Sequence, residues 1–413
     1  MMLNDRWITD RTPTERFPDY TRANAGEVLR DPVSPLGWTF GWEEGVVLGC
    51  RDAFVSFGVF DADEYGEPPE TFGMFGGYFY NSLTQPRLMG VRMPGATPEA
   101  IDKAYFDDRP DVPPYEPKDW HESPEHEAKL AETMAYVMSG VRHDPADEQK
   151  ARAAELRDSR PDLAELSNEA LVARARSVQP DVVSNFEQHA WVTVGASLPS
   201  GAIAAVADGI GRSTDVAALL SGLGDVDSAG IAQQLWALSR LVRNSAELTA
   251  VFDAGLDGLA ERIEGTDLAD GLDAFLYEHG GRGPNEWDIA ASSYETTPGL
   301  AYAQLDVMRL RGDEADPIAA LKHSTAERAR LRAEIERVLA GDAEALGTFQ
   351  AAMDSATVWM SARERTKSYN IRTLHEARMC FNELGRRMAD AGHIDKPAHV
   401  YMLLSEELDE FLG

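Results

Sequence analysis

The chain has 413 residues, of which 43% are hydrophobic, so it is long enough for two or three domains with sizeable cores. Its 39 Lys and Arg face 70 Asp and Glu, and the formal net charge of −31 disfavours nucleic acid and anionic lipid as partners. The two cysteines, Cys50 and Cys380, are too few for a metal cluster and are expected to be free thiols. The polar N-terminus lacks the features of a signal peptide, and no apolar run approaches the ~20 residues of a membrane span. We therefore expect a cytoplasmic protein that does not contact a membrane.

Residues 1–124 are rich in proline, glycine and aromatic side chains. This composition predicts a small, mixed α/β, loop-rich N-terminal part. Its strands are predicted at 45–60 and 76–80, where apolar and aromatic residues concentrate. Five prolines within residues 107–124 predict an extended connector.

From residue 125 onward, Ala and Leu dominate and apolar residues recur three and four positions apart. The sequence is therefore predicted to be mainly α-helical, with a bundle-like domain over 125–413. Helices are expected at 317–339 and at 343–391, the second with an interruption near residue 369. The frequent glycine and serine residues over 198–225 indicate that the helical part could be split there into two units.

The common phosphate-binding and hydrolytic motifs are absent from the sequence. It has no GxxxxGK[ST] or GxGxxG loop, no HExxH pair and no GxSxG elbow. The nine histidines are scattered, and the closest pairs, 121/126 and 393/399, lack the spacing that places two imidazoles on one helical face. We predict that this chain binds no metal and no cofactor of its own.

Two clusters of charged residues remain as candidate sites. In the first, a helix is expected to end at two glycines, followed by Arg282, Glu286 and Asp288. An ion pair that fixes this turn and a functional site are both compatible with the pattern.

The second cluster lies within the long C-terminal helix. Arg363 and Lys367 are four residues apart and share a helical face, whereas Glu364 and Arg365 are expected to point elsewhere. Because neighbouring cations repel, an anion is expected nearby. It could be a structural carboxylate such as Glu286, or a phosphoryl group, whose transfer requires cations around the migrating charge.

Five short elements, in order along the chain, resemble the middle region of phosphoenolpyruvate-utilising dikinases of the rifampicin phosphotransferase type. The matching positions are Asn24, Gly26, Glu27 and Ser34 to Gly37; Gly77, Tyr80 and Asn81; Gly280 to Gly283, Glu286 and Asp288; Arg363, Glu364, Lys367 and Tyr369; and Gly392, Ile394, Pro397, Val400, Tyr401, Leu403, Glu407 and Leu408. Two positions depart from the pattern. Gly281 stands where many relatives have His or Met, and Thr366 replaces a common proline.

The resemblance implies the substrate-binding subunit of a split ATP-dependent dikinase. An ATP-grasp and phosphohistidine partner subunit would carry ATP and Mg²⁺, convert ATP to AMP and phosphate, and supply phosphohistidine. Relatives act on rifamycins, pyruvate or phenols, and a split organisation favours a phenol similar to 4-hydroxyacetophenone. Two alternatives stay open: the acceptor-binding part of a rifamycin-type antibiotic phosphotransferase, and a non-catalytic ligand-binding or regulatory protein derived from this fold.

The same resemblance assigns roles to individual residues. Arg363 and Lys367 are the predicted catalytic pair, binding the phosphoryl group and the acceptor oxygen. Arg282 and Glu286 are predicted to position that helix, and Glu27 or Asp31 is the candidate base. The substrate-binding residues that we predict are Glu27, Asp31, Tyr80, Arg282 and Glu286.

Overall fold

The computed structural model describes residues 8–107, 109–223 and 227–412. Helices dominate it, and the mainly α prediction is confirmed. The N-terminal elements are β1 (Tyr20–Thr21), α1 (Ala25–Val28), a π-type helical segment (Gly37–Val46), α2 (Val47–Phe57), a 3₁₀ turn (Ala62–Glu64), β2 (Phe72–Phe75), β3 (Tyr78–Ser82), α3 (Thr84–Arg92) and α4 (Pro98–Phe106). The three strands form one antiparallel sheet in the order β1-β3-β2, with Tyr20 opposite Ser82 and Phe72 opposite Asn81.

The remainder of the described chain is helical. Its elements are α5 (Pro124–Met138), α6 (Pro145–Asp158), a 3₁₀ turn (Leu163–Glu165), α7 (Asn168–Ser177), α8 (Gln179–Gly209), a 3₁₀ turn (Ser213–Asp215), α9 (Val216–Leu219), α10 (Asp227–Asn244), α11 (Ala246–Asp253), α12 (Leu259–Arg262), α13 (Asp267–His279), α14 (Gly299–Arg309), a 3₁₀ turn (Asp313–Ala315), α15 (Pro317–Val338), a 3₁₀ turn (Leu339–Gly341), α16 (Ala343–Asp390), a 3₁₀ turn (Pro397–Met402) and α17 (Glu407–Leu412). The prediction for α15 is confirmed: the Asp316 carboxylate caps the helix by accepting from the Ile318 N–H at 2.8 Å.

The prediction of strands over 45–60 is wrong, because this segment forms the end of the π-type segment and α2. Its glycines serve helix packing. A Cβ on Gly49 would lie 2.4 Å from the Val183 carbonyl oxygen, and one on Gly45 would lie 2.7 Å from a methyl group of Val182. Small residues four apart therefore let α2 lie directly against α8, and burial overrides the β-leaning composition. The strand predicted at 76–80 is confirmed in part, since Gly76 and Gly77 form the turn before β3.

The predicted interruption of the last long helix near residue 369 is also wrong, because α16 runs unbroken for 48 residues. The polar residues there make contacts between helices. Asn370 is fully buried, and its amide donates to the main-chain oxygens of Asn185 on α8 at 3.0 Å and of Thr366 at 2.9 Å. Similarly, α8 continues past residue 198 to Gly209. A division of the helical part within 198–225 stays a prediction.

The largest hydrophobic core is formed where α2, α8 and α16 pack together, and it draws residues from both sides of the connector, from Phe17 to Leu408. A second core lies among α10, α11, α13 and α14, and a third lies among α8, α9, α15 and α16. The division into 1–124 and 125–413 stays a prediction.

One helical stretch, Asn168–Gly209, is long and apolar enough to cross a membrane by length and composition. The expectation that no apolar run approaches this length therefore needs correction. In the fold, α8 lies between α2 and α16, which accounts for its apolar character.

Candidate functional site

A cavity of about 620 Å³ opens between α8, α16, the sheet and the loop that follows α13. We call it the central cavity. Its walls are largely aromatic, formed by Trp42, Phe54, Phe72, Phe79, Tyr105, Phe186 and Trp287. Its charged side is formed by Glu27, Glu286, Arg363, Glu364 and Lys367. An aromatic wall beside a few charged groups is typical of sites for small organic molecules.

The structure brings four of the predicted site residues together in this cavity: Glu27, Glu286, Arg363 and Lys367. The other three, Asp31, Tyr80 and Arg282, are not among the described residues that line it. The Tyr80 ring packs edge-on against Phe75 at 5.2 Å, and Arg282 lies behind the wall.

Glu364 and Arg365, which follow Arg363 on α16, point in different directions. Glu364 also lines the cavity, contrary to the expectation that it points elsewhere. Arg365 does point away, with its Nε 3.2 Å from a carboxylate oxygen of Asp147 on α6. The cavity therefore faces two cations and one acid from a single turn of α16.

Glu286 is the electrostatic centre of the charged side. Its carboxylate accepts a two-pronged hydrogen bond from Arg282, at 2.7 and 3.0 Å, and pairs with the Lys367 ammonium at 3.0 Å. Burial alone would raise the pKa of Glu286, but Arg282 and Lys367 together lower it below its usual value. Glu286 therefore stays ionised and fixes the position of Lys367.

Arg363 is held more loosely than Lys367. Its side chain is 44% exposed, and the ion pair it makes within the described ranges is a 3.5 Å contact with Glu364. A planar guanidinium with unused N–H donors is suited to binding a phosphoryl group. Arg363 thus has more capacity for an incoming anion, whereas Lys367 already shares its charge with Glu286.

The loop after α13 is held by Ser34 and by Arg378, and Tyr401 contacts Arg378 in turn. The Ser34 N–H and hydroxyl donate to the Asp288 carboxylate at 3.1 and 2.9 Å. Arg378, fully buried on α16, donates to the main-chain oxygens of Gly281, Glu286, Asp288 and Ile289 at 2.8 to 3.2 Å. The Tyr401 hydroxyl lies 3.3 Å from the Arg378 carbonyl. Sequence analysis missed Arg378, because an arginine inside a long helix resembles any solvent-exposed one.

Gly281, which departs from the family pattern, lies against His375 of α16. A Cβ at position 281 would be 2.9 Å from the Cβ of His375. The His375 imidazole in turn lies 2.7 Å from Glu295 and 3.1 Å from Arg378. An imidazole from α16 therefore occupies the space next to this turn, which explains why the turn itself carries no larger side chain.

Three residues that line the central cavity also carry a buried, unpaired polar atom. The hydroxyl oxygens of Ser82 and Thr193 and the side-chain oxygen of Asn285 have no hydrogen-bond partner within the described part of the chain. Asn285 also has a left-handed backbone conformation, with φ of 54°, a conformation that asparagine adopts more readily than most residues. Buried polar atoms without a partner are uncommon in folded proteins, so these three mark a polar stretch of the cavity wall.

His189 is a further residue that sequence analysis missed. It lies on α8 and lines the cavity beside Arg363 and Lys367. Its ring centroid is 5.6 Å from those of Phe186 and Trp287. The sequence gives one indication of it, since His189 follows Phe186 by three residues and therefore shares that residue's helical face.

Residues 180–364 match the family model described as the rifampicin phosphotransferase fourth domain, and this match covers somewhat under half of the chain. It begins at the start of α8 and ends within α16. His189, Glu286 and Arg363 lie inside the matched range, and Lys367 follows it. A search of curated proteins found no match.

Proposed function

We propose that this chain is a member of the phosphoenolpyruvate-utilising dikinase family and binds the acceptor of a phosphotransferase reaction in the central cavity. The match of residues 180–364 to the rifampicin phosphotransferase fourth domain supports the proposal. The acceptor is a small organic molecule with a hydroxyl group on an aromatic ring. A partner subunit with ATP-grasp and phosphohistidine domains delivers the phosphoryl group. ATP and Mg²⁺ bind to that partner, and the reaction takes place in the cytoplasm.

The observation that carries this proposal is the position of Arg363 and Lys367 on one side of an aromatic-walled cavity. The walls suit a planar ring, and the cations suit the oxygen to which phosphorus becomes attached. Phosphoryl transfer spreads negative charge over the equatorial oxygens, so two adjacent cations stabilise the transition state more than the ground state.

A phenolic acceptor fits this chemistry better than an aliphatic alcohol. A phenol such as the side chain of tyrosine has a pKa of about 10 in water. Cations beside the oxygen stabilise the phenolate further, which makes the attacking group a stronger nucleophile.

The cavity volume supports a second candidate function. At about 620 Å³ it lies within the range of ~300–1,000 Å³ that is usual for drug-sized ligands. This volume favours an acceptor larger than a single phenol ring, as expected of an antibiotic phosphotransferase. Both candidates use the same cations and differ in the size of the acceptor.

The test is to mix this chain with an ATP-grasp and phosphohistidine chain encoded in a neighbouring reading frame, ATP and Mg²⁺. Panels of phenols and of rifamycins are then assayed for AMP and for the phosphorylated acceptor. We expect an aryl phosphate, with a loss of at least 100-fold in the Arg363→Ala and Lys367→Ala proteins, in line with the effect of removing one transition-state donor.

Arg365→Ala is the matched control, because it removes a cation from the same helical turn but from the face that contacts Asp147. It should retain the wild-type rate. Phosphorylated rifamycin without aryl phosphate would select the second candidate. Acceptor binding without transfer to any compound would contradict both candidates and indicate a non-catalytic binding protein.

A further inference from the structure

His189 lines the central cavity, and its neutral imidazole is a candidate general base. It lies on α8, across from the α16 turn that carries Arg363 and Lys367. The aromatic rings of Phe186 and Trp287 flank it, each with its centroid 5.6 Å from that of the imidazole. These contacts fix the plane of the imidazole ring next to the predicted acceptor site.

The hydrogen-bond partners of His189 suit the tautomer that carries its proton on Nδ1. Its Nδ1 lies 3.0 Å from the Thr366 hydroxyl, which is itself 3.0 Å from the Ala362 carbonyl and 3.1 Å from the Arg363 carbonyl. Both carbonyls can accept the Thr366 proton, and the hydroxyl oxygen can then accept from Nδ1–H. A contact of the ring with the Arg363 main chain likewise calls for an N–H donor on the imidazole. We therefore assign the proton to Nδ1, which leaves the lone pair on Nε2.

We propose that His189 is the base of the phosphoryl transfer, accepting the proton of the acceptor hydroxyl at Nε2 while Arg363 and Lys367 bind the phosphoryl oxygens. This inference rests on the proposed function. The acceptor O–H bond breaks and its proton moves to Nε2, as the acceptor oxygen forms a bond to phosphorus. The P–N bond of the donor phosphohistidine breaks, and its electron pair returns to the donor nitrogen, which takes a proton from water. His189 then releases its proton to solvent.

The charges around His189 suit a group that must begin neutral. Burial, together with Arg363 and Lys367, lowers the pKa of His189 to about 3, so the imidazole is uncharged near pH 7. An incoming phosphoryl group compensates the charge of both cations. The pKa of His189 then rises, and the imidazole becomes a stronger base only when the donor is in place.

Glu27, which sequence analysis named as a candidate base, is less suited to the task. It lines the same cavity, but it lies on the short helix α1 and is exposed to solvent. Within the described residues, the Glu27 carboxylate makes no side-chain hydrogen bond or ion pair that would orient it. His189, by contrast, is oriented by Thr366 and two aromatic rings. A base acts through a fixed geometry, so His189 is the better candidate.

The test uses His189→Asn, because the asparagine amide can replace the Nδ1–H donor but offers no basic nitrogen at the Nε2 position. Phosphoryl transfer from the phosphorylated partner is measured for a series of phenols with decreasing pKa. We expect His189→Asn to lose ~10²- to 10⁴-fold in rate for ordinary phenols. The loss should shrink steadily for phenols acidified by electron-withdrawing groups, since these ionise without a base. His143→Asn is the matched control: that histidine also stacks on a tryptophan, Trp191 at 4.7 Å, but does not line the cavity.

A purely structural role for His189 would produce an equal loss for every phenol, and that result would overturn the proposal. An unchanged rate in His189→Asn would also overturn it, and would leave the proposed function standing if the wild-type protein is active. If the wild-type mixture forms no phosphorylated acceptor, both proposals fall together. Should His189→Asn not fold, His189→Gln provides the same comparison, because its amide also lacks a basic nitrogen.

Discussion

Replacing Glu286 with glutamine separates the two effects of this carboxylate, which stabilises the fold and neutralises Lys367. The substitution keeps the size of the side chain and one carbonyl acceptor, but removes the negative charge. Glu286 is 9% exposed and is bound by Arg282 at 2.7 and 3.0 Å and by Lys367 at 3.0 Å. We expect a less stable protein that binds anions more tightly.

The size of the stability loss follows from what remains after the substitution. Removing one partner of a buried ion pair costs ~3–5 kcal/mol, chiefly because the other charge stays buried and uncompensated. Arg282 is 8% exposed and would be left in that position, whereas Lys367 can turn toward solvent. Because glutamine still accepts one hydrogen bond, we place the loss at the lower end, about 3 kcal/mol of unfolding free energy.

The effect on anion binding has the opposite sign. Charges 4 Å apart interact by roughly 4 kcal/mol at an effective dielectric constant of 20. The freed Lys367 recovers part of this interaction, so we expect inorganic phosphate to bind about tenfold more tightly, equivalent to ~1.4 kcal/mol. Phosphate affinity is measured by calorimetry and stability by urea denaturation, on the same preparation.

Glu364→Gln is the matched control, since it removes an equal charge from a side chain that lines the same cavity. Glu364 is 28% exposed, and its contact with Arg363 is 3.5 Å long. Such a pair contributes ~0–1 kcal/mol, so stability should hardly change. If Glu286→Gln destabilises no more than Glu364→Gln, or weakens phosphate binding, the assignment of Glu286 as the neutralising partner of Lys367 is wrong.

Three further predictions concern the residues around the loop. Arg378→Met should lower the unfolding free energy by roughly 4 kcal/mol in urea denaturation, because it leaves four buried main-chain oxygens without their charged donor. Gly281→Ala should destabilise by ~1–3 kcal/mol because its Cβ would lie 2.9 Å from His375, whereas Gly299→Ala, into open space, should not destabilise. Burial, Arg378 and Arg160 lower the pKa of His375 to about 4, despite the opposing effect of Glu295. As the pH falls, His375 therefore takes up its proton in the unfolded chain before it does so in the folded protein. The free energy of unfolding should decrease by about 3 kcal/mol between pH ~6.5 and ~4. Unfolding of His375→Asn should show a shallower pH dependence over this range, and an equal slope would refute the reasoning.

The helical class and the start of α15 could be predicted because they depend on local signals. Alanine and leucine periodicity and the Asp316 cap are properties of neighbouring residues. The segment 45–60 could not be predicted in this way. Its valines, phenylalanines and glycines favour a strand locally, and the structure makes it helical because Gly45 and Gly49 allow close contact with α8, more than 130 residues further along the chain.

The site residues, too, could be predicted where the signal is local and not where it depends on contacts distant in sequence. The spacing of Arg363 and Lys367 placed both on one helical face, and the structure adds the Glu286 carboxylate that the repulsion between them had suggested. His189 could not be identified from spacing, because its importance depends on Thr366, which lies 177 residues away in sequence. Tyr80 and Asp31 were selected by their motifs, but they are not among the described residues that line the cavity.

Several residues of the five matching elements, together with Arg378, build a scaffold behind the cavity. Ser34 holds Asp288, and Arg378 holds the carbonyls on both sides of Glu286. That loop in turn sets the distance between Glu286 and Lys367. A motif of this kind is expected to persist whatever the acceptor, because it fixes the cations that every phosphoryl acceptor requires.

The aromatic wall of the central cavity, unlike this scaffold, is formed mostly by residues outside the five matching elements. Trp287 belongs to the loop after α13 and Trp42 to the π-type segment, whereas the other five residues come from α2, the sheet, α4 and α8. Substitutions among these five residues should change the shape of the cavity without disturbing the Glu286–Lys367 contact. Acceptor choice should therefore depend on the wall, and the ability to transfer phosphate should depend on the α16 turn. It follows that exchanging Phe54 or Tyr105 for smaller residues should change which acceptors bind while leaving phosphate affinity unchanged.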